Sequence, residues 1–407
     1  MRITLVISTL DGGGAERVAA NMANYWAAKG WGVTILTTDF RGRSSRYSLH
    51  PCVTHLDLGS PRFNHLPDLQ AAAPVVALIN GCSPSERAVL IPWATEILKL
   101  RGAISSTAPD VVISYMDRTN LCVLTATRGL GLPVIVTEHC DPNENFIGAE
   151  WELLRRRLYP QASYVTVLTE ESLGHFSSVA GIRGRVIPNA VMPPVFSSCE
   201  EIPQQKHGRL LLAMGRLDHG KGFDLLLRAF ALVAERHPDW TLEILGEGPV
   251  RPYLESIVQR LGLAERVRLP GFTRRPFDAM RRADLFALSS LDEGFPNVLL
   301  EAMACGVAVV SFDCPSGPRH IIRHGVDGIL VPPRDAQAMA AAFDRLMGDE
   351  AERNRLAARA PEVIERFGAE KVMSMWEELV FDCVKVDHPK AAPRVSERGA
   401  DRGISHG

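Results

Sequence analysis

No Cys-x-x-Cys pair occurs in this chain; its eight cysteines are scattered at positions 52, 82, 122, 140, 199, 305, 314 and 383. That spacing supports neither a zinc site nor a disulfide framework and fits a reducing cytoplasm. No Asp-x-Asp occurs either, so no obvious acidic clamp for a divalent metal is present. The formal net charge is only −2, which argues against a whole-surface nucleic-acid binder. Long apolar runs are missing too, since none approaches the roughly 18–20 residues of a membrane span. The longest, "AAAPVVALI" (71–79) and "VLIPWATEILKL" (89–100), are short or broken by Pro, Glu and Lys. The N-terminal apolar run is only about eight residues long, with no small-residue cleavage site after it, so a buried strand is expected and not a secretory signal. What remains is ordinary globular material: 407 residues, 46% hydrophobic and 23% charged. By length that makes about two to three domains, with ample material for a core.

Short β-branched runs recur at 3–9, 32–39, 53–58, 110–116, 133–139 and 164–169, with helical stretches such as 15–29 and 119–129 between them. Near-continuous apolar strands alternating with helices predict a parallel sheet covered on both faces. The pattern pauses at "VMPPVFSSCEEIPQQKHG" (191–208) and then restarts with "RLLLAMGRL", "TLEILGEG", "VRLPGF", "DLFALSS", "VAVVSF" and "GILVP". The expected class is α/β with two Rossmann-like, doubly wound domains facing across a cleft. The divisions are 1–191, a linker at 192–208, and 209–366. A helix at 367–384 returns toward the first domain, with Val372, Met375, Trp376 and Leu379 on one face. Residues 385–407 read as a charged, disordered tail. Two such sheets put ligands outside the carboxyl ends of their strands, so motifs should follow strands.

They do. In "MGRLDHGKGFDLLLRAF" (214–230), Gly215 ends a strand, and Arg216 and Lys221 flank a polar loop before a helix. Two cations beside a helix N-terminus suit a diphosphate; taken alone, the loop reads equally as a solvated connection. "DGGGAERVAA" (11–20) is another strand-to-helix glycine run, but Arg17 stands where a dinucleotide fingerprint needs its last glycine. In "LDEGFPNVLLEAMACGVAVV" (291–310), Glu293 opens a turn and Glu301 lies inside an apolar helix. An unpaired carboxylate buried there would cost several kcal/mol. Carboxylates near a helix N-terminus accept hydrogen bonds from hydroxyls, and a sugar nucleotide presents hydroxyls on its ribose and on its sugar. By itself the pair reads as well as helix capping.

The run from "GRLDHGKGF" through "LGEGP", "RVRLPGF" and "DEGFPNVLLEAMACGVAVVSFDCPSGPRHII…GVDGILVPP" resembles the family 4 glycosyltransferases of the GT-B fold, over about 209–333. "GGGAERVA" and "TEHCDP" look like the bacterial subgroup that builds lipid-linked surface oligosaccharides. The resemblance implies that Glu301 holds ribose hydroxyls and Glu293 the donor sugar's hydroxyls. Arg216 and Lys221 would neutralise the departing diphosphate beside Gly215. Backbone amides over Gly294, Phe295, Pro296, Asn297 and Val298 would touch diphosphate and sugar, and "RLPGF" with Phe272 would line the base pocket. Gly13 and Gly14 would face the donor from the first domain, and His139 would approach the sugar. His320 stands where the family usually carries Glu, which bears on donor choice.

The resulting expectation is a retaining hexosyltransferase moving sugar from a nucleoside-diphosphate sugar, UDP-linked in preference to GDP-linked, without a cofactor or added metal. The acceptor side is a glycan or polyprenyl-diphosphate-linked saccharide. In "WELLRRRLYP" (151–160), Arg155, Arg156 and Arg157 beside apolar residues suit anionic headgroups or a lipid diphosphate. The same segment also reads as a solvated helix with snorkelling arginines. The expected place is cytoplasmic, peripheral on the inner face of the membrane. Competing readings are a GDP-mannose-dependent mannosyltransferase, a non-catalytic nucleotide-sugar-binding protein and a nicotinamide-dependent dehydrogenase. The incomplete glycine fingerprint speaks against the last.

Overall fold

A computed structural model describes residues 1–39, 45–59, 69–193 and 208–387. Most of the expected linker and the tail beyond 387 lie outside the described residues. Two all-parallel sheets carry the fold. The first has strands β1 (Arg2–Ile7), β2 (Gly32–Thr37), β3 (Val53–Asp57), β4 (Val111–Tyr115), β5 (Val134–Thr137), β6 (Tyr164–Val167) and β7 (Gly184–Val186). Their order in the sheet is β3-β2-β1-β4-β5-β6-β7. The second has β8 (Arg209–Met214), β9 (Trp240–Leu245), β10 (Val267–Gly271), β11 (Leu285–Leu288), β12 (Val309–Phe312) and β13 (Ile329–Val331), in the order β10-β9-β8-β11-β12-β13.

Period-two alternation explains why the strands are apolar throughout: each supplies two cores. Ile3, Leu5 and Ile7 of β1 pack with Trp26 on one face, while Val6 faces a second cluster with Leu36 and Val112. In the second sheet Leu285 and Ala287 face one core, Phe286 and Leu288 the other. Helices Pro84–Leu90 and Ala94–Thr107 fill a stretch that hydropathy alone leaves unassigned.

The last helix, Ala369–Asp387, runs past the expected end at 384. It buries Val372, Met373, Trp376, Leu379, Val380 and Cys383 in the first domain's core against the β1 cluster, while Met375 is only half-buried. Each large side chain so covered contributes about 1.5–3 kcal/mol. The chain thus passes from the first sheet to the second and back, and a bridge between Val191 and Gly368 marks where the two crossings meet.

Each sheet has one place where successive connections leave in opposite directions, between β1 and β4 and between β8 and β11. Ligand sites of open α/β sheets form there, outside the strands' carboxyl ends.

Candidate active site

At the switch point of the second sheet, the loop after β8 and the loop after β11 hold one another. Gly222, at φ 58°, brings its backbone so close to Ser289 that a Cβ would lie 2.1 Å from the Ser289 carbonyl oxygen. Ser289 Oγ donates to the Lys221 carbonyl at 2.8 Å, and the Leu291 amide donates to the Gly220 carbonyl at 2.8 Å. This seam sets Lys221 Nζ 2.7 Å from Glu293 Oε1, which also accepts from Ser290 Oγ at 2.6 Å. Burial works against the Lys221 ammonium, but Glu293, with Asp218 and Asp292 behind it, outweighs burial and raises its pKa. Arg216, just beyond Gly215, stays exposed and donates to Asp218 Oδ2 at 2.6 Å. The helix Asn297–Ala304 starts after Pro296 with no side-chain cap, which leaves the amides of its first turn, Val298 among them, without a capping side chain. Phe295 is buried and packs edge-on against Phe367 at 5.2 Å.

The first sheet presents its glycine loop opposite. Gly13 is gripped by Tyr47, whose hydroxyl accepts from the Gly13 amide at 2.8 Å and donates to its carbonyl at 2.7 Å. The helix Gly14–Ala28 follows, and Arg17 on its first turn reaches across the crevice to pair with Glu301 through Nη1 and Oε1. Asn297 Nδ2 donates to the Gly14 carbonyl at 3.1 Å, and Asn189 Nδ2 to the Phe295 carbonyl at 2.9 Å. Gly294 lies against His139, where an added Cβ would come 2.2 Å from the His139 carbonyl oxygen. Glu16 is shielded enough for burial to raise its pKa, although its own backbone hydrogen bond and Arg216 oppose that. Phe272 stands half exposed under the Arg46 guanidinium, 4.9 Å from its ring centre.

Glu293, Lys221, Gly294, Asn297, Glu301, Gly13, Gly14 and His139 therefore converge where the sheets face. Sequence reasoning did not single out Arg17 as a site residue. It figured only as the residue that breaks the glycine fingerprint, and its partner Glu301 lies 284 positions away. Both ring nitrogens of His139 are shielded from solvent and have no hydrogen-bond partner among the described residues, and the ring stacks on Tyr115 at 5.4 Å. Burial pushes its imidazole down to about 4, so the ring is neutral near pH 7. His320 spans the crevice elsewhere, with Nε2 3.0 Å from Glu171 Oε2 of the first domain. Among the described residues no group of three His, Cys, Asp or Glu side chains is placed to hold a metal ion.

The arginine triplet requires correction. Arg155 is 1% exposed on the helix Ala149–Leu158, beside Glu138 at 3.7 Å and Glu152 at 3.0 Å, so it cannot meet a headgroup. Its charge is spent inside: burial pushes Glu138 up to about 7, opposed by Arg155 and by the Tyr159 hydroxyl, which donates to Glu138. Arg157 is tied down by Glu86 at 3.1 Å and the Gly81 carbonyl at 2.8 Å. Arg156 projects furthest, at 60% exposure, with a 3.6 Å contact to Glu152. Helical periodicity carried the signal: Arg155 shares the i, i+3, i+4, i+7 face with Trp151, Leu154 and Leu158, all buried.

Comparison with known proteins agrees with the two-domain fold. Residues 12–193 match the family model described as Glycosyltransferase Family 4, and residues 199–363 match that of Glycosyl transferases group 1. A Streptomyces coelicolor exopolysaccharide phosphotransferase is 36% identical over 76% of this chain, which spans only 32% of that protein's length. A Campylobacter jejuni α-1,4-N-acetyl-D-galactosaminyltransferase, named for a diNAcBac-PP-undecaprenol-linked GalNAc disaccharide, is 28% identical over 94% of this chain and 99% of its own. Among solved structures, Anabaena HepE in complex with UDP superposes with a TM-score of 0.73 at 20% identity, covering 94% of this chain and 100% of that one.

Proposed function

The chain belongs to the family 4 glycosyltransferases, and on that premise we propose that it moves a sugar from a UDP-sugar to a hydroxyl of a polyprenyl-diphosphate-linked saccharide, with retention at the anomeric carbon. The observation that carries this is the convergence of two carboxylates, Glu293 and Glu301, with the cation Lys221 at facing switch points. Glu301 takes ribose hydroxyls, Glu293 the sugar's hydroxyls, and Lys221 and Arg216 the diphosphate. The acceptor class rests on the undecaprenyl-diphosphate-linked saccharide in the Campylobacter relative's name.

In the reaction the bond between the anomeric carbon and the diphosphate oxygen breaks, and negative charge gathers on the leaving group. Preorganised Lys221, Arg216 and the first amides of the helix Asn297–Ala304 stabilise it, and donors of this kind each contribute a few kcal/mol, on the order of 10²–10³ in rate. The acceptor hydroxyl forms its bond from the same face and passes its proton to the departing diphosphate. His139, neutral near pH 7, serves as a hydrogen-bonding partner for the sugar and not as an acid.

Calorimetry with UDP and GDP, paired with turnover on membrane lipid extract in the presence of EDTA, tests this reading. Wild type is expected to bind UDP and to turn over in EDTA. Glu301→Ala should weaken UDP binding at least tenfold, and Glu293→Ala should lower turnover by 10² or more. Alanine at either position with both affinity and turnover intact overturns the reading, and tight GDP with silent UDP moves the donor to the GDP-mannose class.

A further inference from the structure

Glu301 is 6% exposed on a helix whose neighbouring residues Leu299, Leu300, Ala302 and Met303 are buried. One of its oxygens, Oε1, is paired with Arg17 of the first domain. The other, Oε2, is buried and has no hydrogen-bond partner among the described residues. A buried carboxylate oxygen without a donor is costly, and such groups in native proteins are usually answered by something. The Arg17 side chain is itself held: its backbone amide donates to the Gly13 carbonyl at 3.1 Å, and its guanidinium lies 6.0 Å from the Tyr47 ring centre. Tyr47 in turn clamps Gly13 from both sides.

We infer that Arg17 is a positioning residue of the donor site: from the opposite domain it fixes Glu301 by Oε1 and aims Oε2 at the nucleotide's ribose hydroxyls. This rests on the donor reading above and deepens it. The two oxygens divide the work. An arginine fixed on one lone-pair direction leaves the second oxygen as a strong acceptor, which a hydroxyl then satisfies. Without Arg17 the carboxylate loses the countercharge that the described residues give it in an apolar helix. Because the arginine and the glutamate belong to different sheets, the nucleoside is gripped at full strength only when the domains are together.

The inference separates Arg17 from a phosphate-binding arginine by its expected pattern. UMP and UDP affinities are measured calorimetrically for wild type, Arg17→Met, Arg17→Lys, Glu301→Ala and the Arg17→Met/Glu301→Ala double variant, with thermal unfolding as a check on the fold and GMP and GDP as the alternative pair. Arg17→Met should weaken UMP and UDP by the same factor, about tenfold, as expected for one charge-assisted contact. Lysine should recover most of that loss. The double variant should bind no more weakly than Glu301→Ala alone, and donor KM should rise while kcat holds within a few-fold. A larger loss for UDP than for UMP, or a loss undiminished in the Glu301→Ala background, would make Arg17 a phosphate contact and overturn the inference. Arg17→Met at wild-type affinity while Glu301→Ala fails sinks this inference alone. Glu301→Ala binding like wild type sinks the donor reading and this one with it.

Discussion

At the scale of the residue, charge is placed where its partner makes it tolerable. Glu301 sits in an apolar helix because Arg17 answers one oxygen; Arg155 lies buried because Glu138 and Glu152 flank it. His139 is the opposite case, an imidazole whose two nitrogens are shielded and have no partner among the described residues. Its pKa falls from an ordinary 6.5 to about 4 on folding. Between those values the unfolded chain binds the proton and the folded chain does not, so stability is fully present above about pH 6.5 and is lost as pH falls toward 4. His139→Gln should therefore flatten the decline in urea midpoint over that window. Equal slopes for variant and wild type would show that the ring is not held neutral. Glu301 was conspicuous because a carboxylate in an apolar run needs a reason, although the glutamate pair alone read equally as helix capping. Arg17 was not, since a lone arginine after a glycine loop carries no such tension in one dimension.

At the scale of the element, the strands were readable because a strand buried on both faces is apolar without interruption. The helix Pro84–Leu90 escaped notice although its signal was present: Ser83 and Glu86 form a capping box, with Pro84 at the first helical position. Interrupting Pro92, Glu96 and Lys99 hid its successor. Among loops, the turn 293–297 brings backbone of one domain against backbone of the other. Gly294 permits that approach, and a methyl group there would meet the His139 carbonyl at 2.2 Å, backbone against turn. Gly294→Ala is expected to hold the crevice open, lowering kcat at least tenfold with little change in Tm. Unchanged kcat would mean that this contact is not kept during turnover.

At the scale of the whole molecule, two sheets are joined by side chains across a crevice and by a final helix that returns to the first core. Arg17 with Glu301, Asn297 with Gly14, Asn189 with Phe295, Arg46 with Phe272 and His320 with Glu171 all bridge it. No helix among the described residues is long and apolar enough to cross a membrane. We propose that exposed apolar residues of the first domain meet a lipid interface. Trp93 packs edge-on to Trp151 at 6.3 Å and Arg118 lies 5.6 Å from its ring. Ile91, Phe146 and Leu153 stand exposed, Phe146 at 79%. Exposed apolar and aromatic side chains with a nearby cation are the usual composition of peripheral attachment. We expect Ile91→Ser/Phe146→Ser to reduce sedimentation with anionic vesicles several-fold while leaving turnover on a water-soluble acceptor unchanged; undiminished sedimentation would remove this surface from consideration. The sequence by itself determined two parallel-sheet domains, the strand-end position of the motifs and the glutamate pair, because periodicity and local composition act between near neighbours. Which cation meets Glu301 was decided only in three dimensions, because it depends on a partner 284 residues distant that desolvation and charge select as the chain folds.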